Sequence, residues 1–166
     1  MKCFEIHKPT NVSSIVFAEH FVKQDLMDYA TGLATNHLLL HGEFGTGKST
    51  LAYAIAEQRN GVSGTLILNA KSDELNQNMM LNTINFARIN QTSPAIVIDE
   101  VDVLSKRQQD TLCGLMDKYK QLNAMFVFTT NYLKKVDDAV VSRCCEYHIK
   151  CLTPTQVFPT AKQILL

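Results

Sequence analysis

The sequence lacks every feature that would send the chain to a membrane, out of the cell or onto nucleic acid by bulk charge. Lys plus Arg and Asp plus Glu are equal at 16 each among 166 residues, so net charge steers no partner. The basic excess of a typical nucleic-acid binder is missing from the totals. No stretch approaches the roughly 18–20 uninterrupted apolar residues of a membrane span. Met1-Lys2-Cys3-Phe4-Glu5 puts no apolar run behind a basic head, which predicts no signal peptide. There is no internal repeat, no low-complexity tract and no C-x-x-C. The cysteines are Cys3, Cys113, Cys144, Cys145 and Cys151, an odd set that reads as reduced thiols. Cys144, Cys145, Cys151 and His148 lack the usual spacing of metal ligands.

What is present is alternation. Short apolar runs at Leu38–Leu40, Thr65–Leu68, Ala95–Ile98 and Met125–Phe128 end in polar residues, and Tyr147–Ile149 is a weaker fifth. Such nearly continuous runs predict strands of a parallel sheet covered on both faces. Helical patterns fill the gaps: Ala18–Ala30, Ser49–Gln58, Asp73–Ile89 with Leu75, Met79, Met80, Ile84 and Ala87 apolar, and Lys106–Tyr119. The expectation is an α/β fold with right-handed crossovers, in a length that suits one domain. His37 and His41 flank the first run and are expected to pack at the sheet edge or core.

Gly42-Glu43-Phe44-Gly45-Thr46-Gly47-Lys48-Ser49 fits G-x-x-x-x-G-K-[ST] at every fixed position, between an apolar run and a helical pattern. The glycines let backbone N–H groups turn inward onto phosphate oxygens, and the following helix adds its positive end. Lys48 is placed for the β- and γ-phosphates, the Ser49 hydroxyl for Mg²⁺, and Thr50 completes the binding stretch. Ile96-Val97-Ile98-Asp99-Glu100 supplies the second element: Asp99 supports Mg²⁺ and Glu100 polarises the attacking water. The implied ligands are ATP and Mg²⁺.

With these motifs in place the chain resembles the AAA+ ATPases, and within them the sliding-clamp loader subunits of the replication factor C type. Lys8-Pro9 with Val12 and Ile15 is similar to the family's entry segment beside adenine. Leu68-Asn69-Ala70-Lys71-Ser72-Asp73 resembles the L-N-A-S-D of clamp loaders with one residue inserted. Phe128-Thr129-Thr130-Asn131 resembles the sensor 1 strand, and Ser142-Arg143-Cys144 reproduces S-R-C. The resemblance covers roughly residues 4 to 152 and implies a P-loop NTPase sheet of five parallel strands in the order 5-1-4-3-2. It implies that Asn131 senses the γ-phosphate or the attacking water. Arg143 is implied to act in trans on a neighbour's ATP, and Asn69 either restrains Glu100 or caps its strand.

Residues 1–152 read as the nucleotide-binding core and 153–166, opening at Thr153-Pro154-Thr155, as the start of a lid mostly missing from the chain. The positions of pore-facing arginines fall on Cys113 and Gly114, with Gln109 on a pore-side glutamine and Lys106 and Arg107 nearby. The implied function is ATP hydrolysis by a clamp-loader subunit in DNA replication, inside the cell, in cytoplasm or nucleus. Implied partners are other AAA+ subunits, with a sliding clamp and primer–template DNA as further candidates and no membrane. A helicase loader and a non-hydrolysing nucleotide-binding subunit are the competing readings.

Overall fold

The computed structural model describes residues 9–71, 82, 84, 85, 89, 90 and 94–165. Five parallel strands form one sheet: β1 (His37–His41), β2 (Thr65–Asn69), β3 (Ala95–Asp99), β4 (Met125–Thr130) and β5 (Cys144–His148). They lie in the order β2-β3-β4-β1-β5, which is the expected 5-1-4-3-2. The helices are α1 (His20–Thr31), α2 (Lys48–Asn60), α3 (Lys106–Tyr119), the short α4 (Asp138–Val141) and α5 (Pro154–Leu165).

The unbroken apolar runs have a direct cause in the packing. Leu38 and Leu40 face one side with Val97, Met125 and Val127, against Leu26 of α1 and Leu51 and Ile55 of α2. Leu39 faces the other with Ile96, Ile98, Phe126 and Phe128, against Leu112 and Met116 of α3. Successive side chains point to opposite faces, so a strand covered on both sides must be apolar throughout. Every residue of β3 and β4 is buried.

The fifth strand differs from expectation. It runs Cys144–His148, pairing residue by residue with His37–His41, and Ile149 follows its end. As an edge strand it is only half buried, so its hydrophobic signal is diluted. Cys144 packs against one core cluster and Cys145 against the other. The helix expected from Ala18 begins at His20, because Glu19 holds an extended N-cap conformation. Helix α3 matches its predicted limits and opens on a capping box between Ser105 and Gln108. His37 packs its ring edge-on against Phe126 at 5.4 Å and accepts the Phe126 N–H through Nδ1 at 3.2 Å.

Ile84 is helical and fully buried. The rest of the expected 73–89 helix that bears on packing, with Leu75, Met79, Met80 and Ala87, lies outside the described residues, as do Cys3, Lys8, Ser72 and Asp73. Among the described residues no helix is long and apolar enough to cross a membrane.

Phe126 is fully buried between His37 and Phe128, whose ring centroid is 6.0 Å away. Phe126→Ala is expected to cost about 3–5 kcal/mol, because the rigid sheet cannot collapse into the cavity. Urea unfolding of parent and variant measures this.

Candidate nucleotide-binding site

The phosphate loop leaves the end of β1 and turns straight into α2. Gly45 and Gly47 hold φ of 76° and 85°, the left-handed region that a side chain disfavours, and Gly47 is the N-cap of α2. Gly42 has a different reason: a Cβ there would lie 2.4 Å from the Ile149 carbonyl oxygen. The same segment is tied down by the Ile149 N–H, which donates to His41 O at 2.8 Å. The first N–H groups of α2 are thus presented where the loop opens.

Lys48 is buried to 6% exposure at the start of α2. Its ammonium donates to the Glu43 carbonyl at 2.5 Å and to Thr46 Oγ1 at 3.3 Å. Burial pulls its pKa down, and the negative charge of Asp99 opposes that pull. Asp99, also 6% exposed, stands at the end of β3. Ser49 donates to its Oδ1 at 2.7 Å and Tyr53 to its Oδ2 at 3.1 Å, and Thr129 donates a short bond to Oδ1. The predicted pair, Ser49 and Asp99, is therefore assembled from α2 and β3. Hard oxygen donors of this kind fit Mg²⁺, which keeps waters and substrate oxygens for its remaining positions. No cluster of three or more His, Cys, Asp or Glu able to hold a metal ion occurs among the described residues.

Glu100 takes φ 60°, ψ 48°, a left-handed conformation rare for a residue with a side chain. Its N–H donates to Thr129 Oγ1 at 3.0 Å. Its carboxylate pairs with Lys71 Nζ at 2.6 Å. Asn69 accepts the Lys71 N–H at 2.9 Å, which caps the end of β2. Phe44, Lys48, Ser49, Thr50, Glu100 and Asn131 all line one cleft of about 400 Å³. Residues from the phosphate loop, β3 and the end of β4 thus meet at the carboxyl edge of the sheet, where open α/β folds bind ligands. Beside it an apolar groove is lined by Ile15, Phe17, Leu51, Ile149 and Leu152, together with Gly47 of the loop. Ile15 of the entry segment lines this groove, and Val12 is buried in the core beneath it.

Arg143 is elsewhere. It precedes Cys144, which pairs with His37, the first residue of β1, whereas the phosphate loop follows His41, the last. The strands are parallel, so the length of β1, about 13 Å, separates the two ends. Arg143 is held by Asp117, Nε to Oδ1 at 3.0 Å and Nη2 to Oδ2 at 2.8 Å.

Two expectations are corrected. Gln109 does not face outward; it is 4% exposed. Its amide donates to Leu104 O and Lys135 O and accepts from the Asp137 N–H, joining α3 to the two loops that follow β3 and β4. Cys113, expected at a DNA-facing position, lies in the core, while Gly114 is exposed. Cys144 and Cys145 face opposite sides of the sheet and so share no metal site. Burial pushes the Cys144 thiol up to about 12.

Sequence reasoning missed Tyr53, Thr129, Lys71 and Asp117. Tyr53 was recoverable, since it follows Ser49 by four residues on one helical face. Thr129 was recoverable from its place in a strand adjacent to β3. Lys71 and Asp117 act through tertiary ion pairs that no local pattern announces.

Residues 38–151 match the family described as "ATPase family associated with various cellular activities (AAA)". Replication factor C small subunit 1 of Pyrobaculum arsenaticum is 33% identical over 152 residues, covering 87% of this chain and 45% of its own length. Replication factor C subunit 3 of Schizosaccharomyces pombe is 26% identical, covering 97% of this chain and 48% of its own length. The chain spans about half the length of the curated relatives it matches. Among solved structures, Thermotoga maritima RuvB R170A superposes with a TM-score of 0.70 at 19% identity, covering 93% of this chain and 52% of that one. C. elegans PCH-2 gives 0.69 at 19%, covering 90% of this chain and 48% of that one, and both speak to the fold alone. A family match over residues 38–151, more than half of the chain, makes this chain a member of the AAA family of ATPases.

Proposed function

We propose that this chain is the nucleotide-binding core of a clamp-loader-type ATPase, working beside other AAA+ subunits in DNA replication inside the cell. The observation that carries the reading is the single cleft on which Lys48, Ser49, Glu100 and Asn131 converge from separate elements. ATP would lie with its base in the apolar groove and its phosphates on the loop. Lys48 would pair with the β- and γ-phosphates, and Ser49 and Asp99 would hold Mg²⁺. When bound, Mg²⁺ would neutralise charge on the phosphate oxygens. Glu100 would orient a water in line with the γ-phosphorus. The bond to the β-phosphate oxygen breaks, giving ADP and phosphate, while Asn131 contacts the transferred group. Residues 1–152 form the core in this reading, and α5 is the first helix of a lid.

Arg143 would act on a neighbour's nucleotide, since about the length of a strand lies between it and the chain's own loop. A sliding clamp and primer–template DNA are the proposed cargo, supported by the named relatives. Direct DNA contact has weaker support here, because Cys113 and Gln109 are buried. The second reading, a subunit that binds nucleotide without hydrolysing it, draws on the Lys71–Glu100 ion pair, which engages the carboxylate needed for water.

Lys48→Ala is expected to weaken ATP binding by about 30-fold or more, the effect of removing one member of a buried charge pair. Titration with a fluorescent ATP analogue, with a parallel thermal melt, reads it; unchanged affinity overturns the phosphate-loop assignment. Glu100→Gln is expected to keep nucleotide affinity and lower turnover in the assembly at least about 100-fold. Parent-rate hydrolysis by that variant removes Glu100 from the mechanism, and absence of turnover in the parent assembly selects the second reading. For Arg143, mixing an Arg143→Ala chain with a Lys48→Ala chain should restore activity that neither shows alone, provided the two are neighbours. An arginine supplied in trans contributes about 10³–10⁵ in rate. Full activity of a proven monomer unaffected by Arg143→Ala would end the trans assignment.

A further inference from the structure

Asp117 has no part in the cleft around the phosphate loop, yet it makes the most specific side-chain contact of Arg143. We infer that Asp117 is a positioning residue for Arg143, fixing its guanidinium so that two N–H groups stay unpaired for an incoming phosphate. The inference rests on the proposal that Arg143 serves a neighbour's nucleotide.

The donor arithmetic carries it. A guanidinium has five N–H groups. Nε–H and one Nη2–H go to the two oxygens of Asp117, at 3.0 and 2.8 Å. One Nη1–H goes to Ala139 O at 2.8 Å. Three of five are occupied, which leaves one N–H on Nη1 and one on Nη2. The free Nη2–H lies on the end-on edge of the fork, and with the free Nη1–H it leaves two charged donors for phosphoryl oxygens. A carboxylate gripping that end-on edge would have blocked the arginine; gripping the side edge aims it.

The platform under Asp117 is firm. Helix α3 is fixed at its start by the Ser105–Gln108 capping box, and on its inner face by Leu112, Leu115, Met116 and Tyr119 in the core. The guanidinium is anchored from the other side by Ala139 in α4. A long, flexible side chain is thereby reduced to one arrangement before any neighbour arrives, and preorganised donors need no rearrangement in the transition state. Arg143 is 35% exposed and Asp117 59% exposed, so the pair is open to an approaching chain. The hydrogen bonds from Arg143 hold the Asp117 carboxyl below its ordinary range, and Asp117 in turn raises the Arg143 pKa. Lys120 and His37, which share the adjoining cleft, face the same carboxylate from α3's end and from β1. Lys120 adds positive charge around the arginine without replacing the bidentate grip, whereas burial lowers the His37 pKa and disfavours its charged form.

An exposed ion pair contributes little to folding stability. Loss of Asp117 should therefore be felt in rate and not in melting. The test uses the full chain in its assembly, at saturating ATP and Mg²⁺, with Asp117→Ala, Asp117→Glu, Arg143→Ala and the double variant. Asp117→Ala is expected to lower kcat about 10- to 100-fold, the range for a reacting group displaced by about 1 Å. KM for ATP and the thermal midpoint should stay near the parent values, because the chain's own phosphate loop lies across the sheet. Asp117→Glu should recover part of the loss by restoring a carboxylate. Adding Asp117→Ala to Arg143→Ala should cost nothing further. Parent-level kcat in Asp117→Ala, in an assembly that Arg143→Ala impairs, overturns the positioning role and leaves the trans assignment standing. A double variant slower than Arg143→Ala also overturns it, because Asp117 would then act elsewhere. No effect of Arg143→Ala in the assembly removes the trans assignment and this inference together.

Discussion

The structure turns on one buried carboxylate. Asp99 ends the interior strand β3 with almost no exposure, and three hydroxyls satisfy it: Ser49 and Tyr53 from α2 and Thr129 from β4. A buried charge is tolerable only when its lone pairs are met. Meeting them here requires α2, β3 and β4 to hold one mutual placement, and that placement also sets the phosphate loop at the head of α2. Lys48 supplies the compensating positive charge from the same helix. Binding site and core packing are therefore not separable at this point: the hydroxyls that make Asp99 bearable are the groups that place it beside the loop.

The two-faced sheet does the rest of the arrangement. Its parallel strands deliver polar ends to one edge, where Glu100 and Asn131 join the loop, and their starts to the opposite edge, where Arg143 sits. Thr129 serves two successive residues at the end of β3, bonding Asp99 through its hydroxyl hydrogen and receiving the Glu100 N–H on its oxygen. That second bond helps hold Glu100 in its left-handed conformation, where the chain turns sharply and leaves the carboxylate on the cleft wall.

Much of this was legible before any coordinates. Continuous apolar runs declared β1, β3 and β4, because burial on both faces leaves no alternative composition, and β2 kept such a run at the sheet edge although Ile67 is exposed. The phosphate loop and the Asp99-Glu100 pair declared themselves because their chemistry needs fixed residue types at fixed spacing. Strand β5 was misplaced by three residues at its start because an edge strand half exposed carries half the signal. Gln109 was placed on the pore side by resemblance, and no local pattern reveals that two loops converge on its amide. Lys71 and Asp117 stayed invisible because their partners lie 29 and 26 residues away, and only the closed fold brings them together.

The tight fit between Gly42 and the end of β5 has a mechanical side. Strand β5 is paired to β1 along all five residues. Beyond its far end, the Ile149 carbonyl presses against Gly42, at the root of the phosphate loop. At its near end it continues directly from Arg143. A fully paired strand neither stretches nor buckles easily, so β5 behaves as a short strut with Arg143 at one tip and the chain's own loop at the other. A displacement of Arg143 has little to bend before it reaches Gly42.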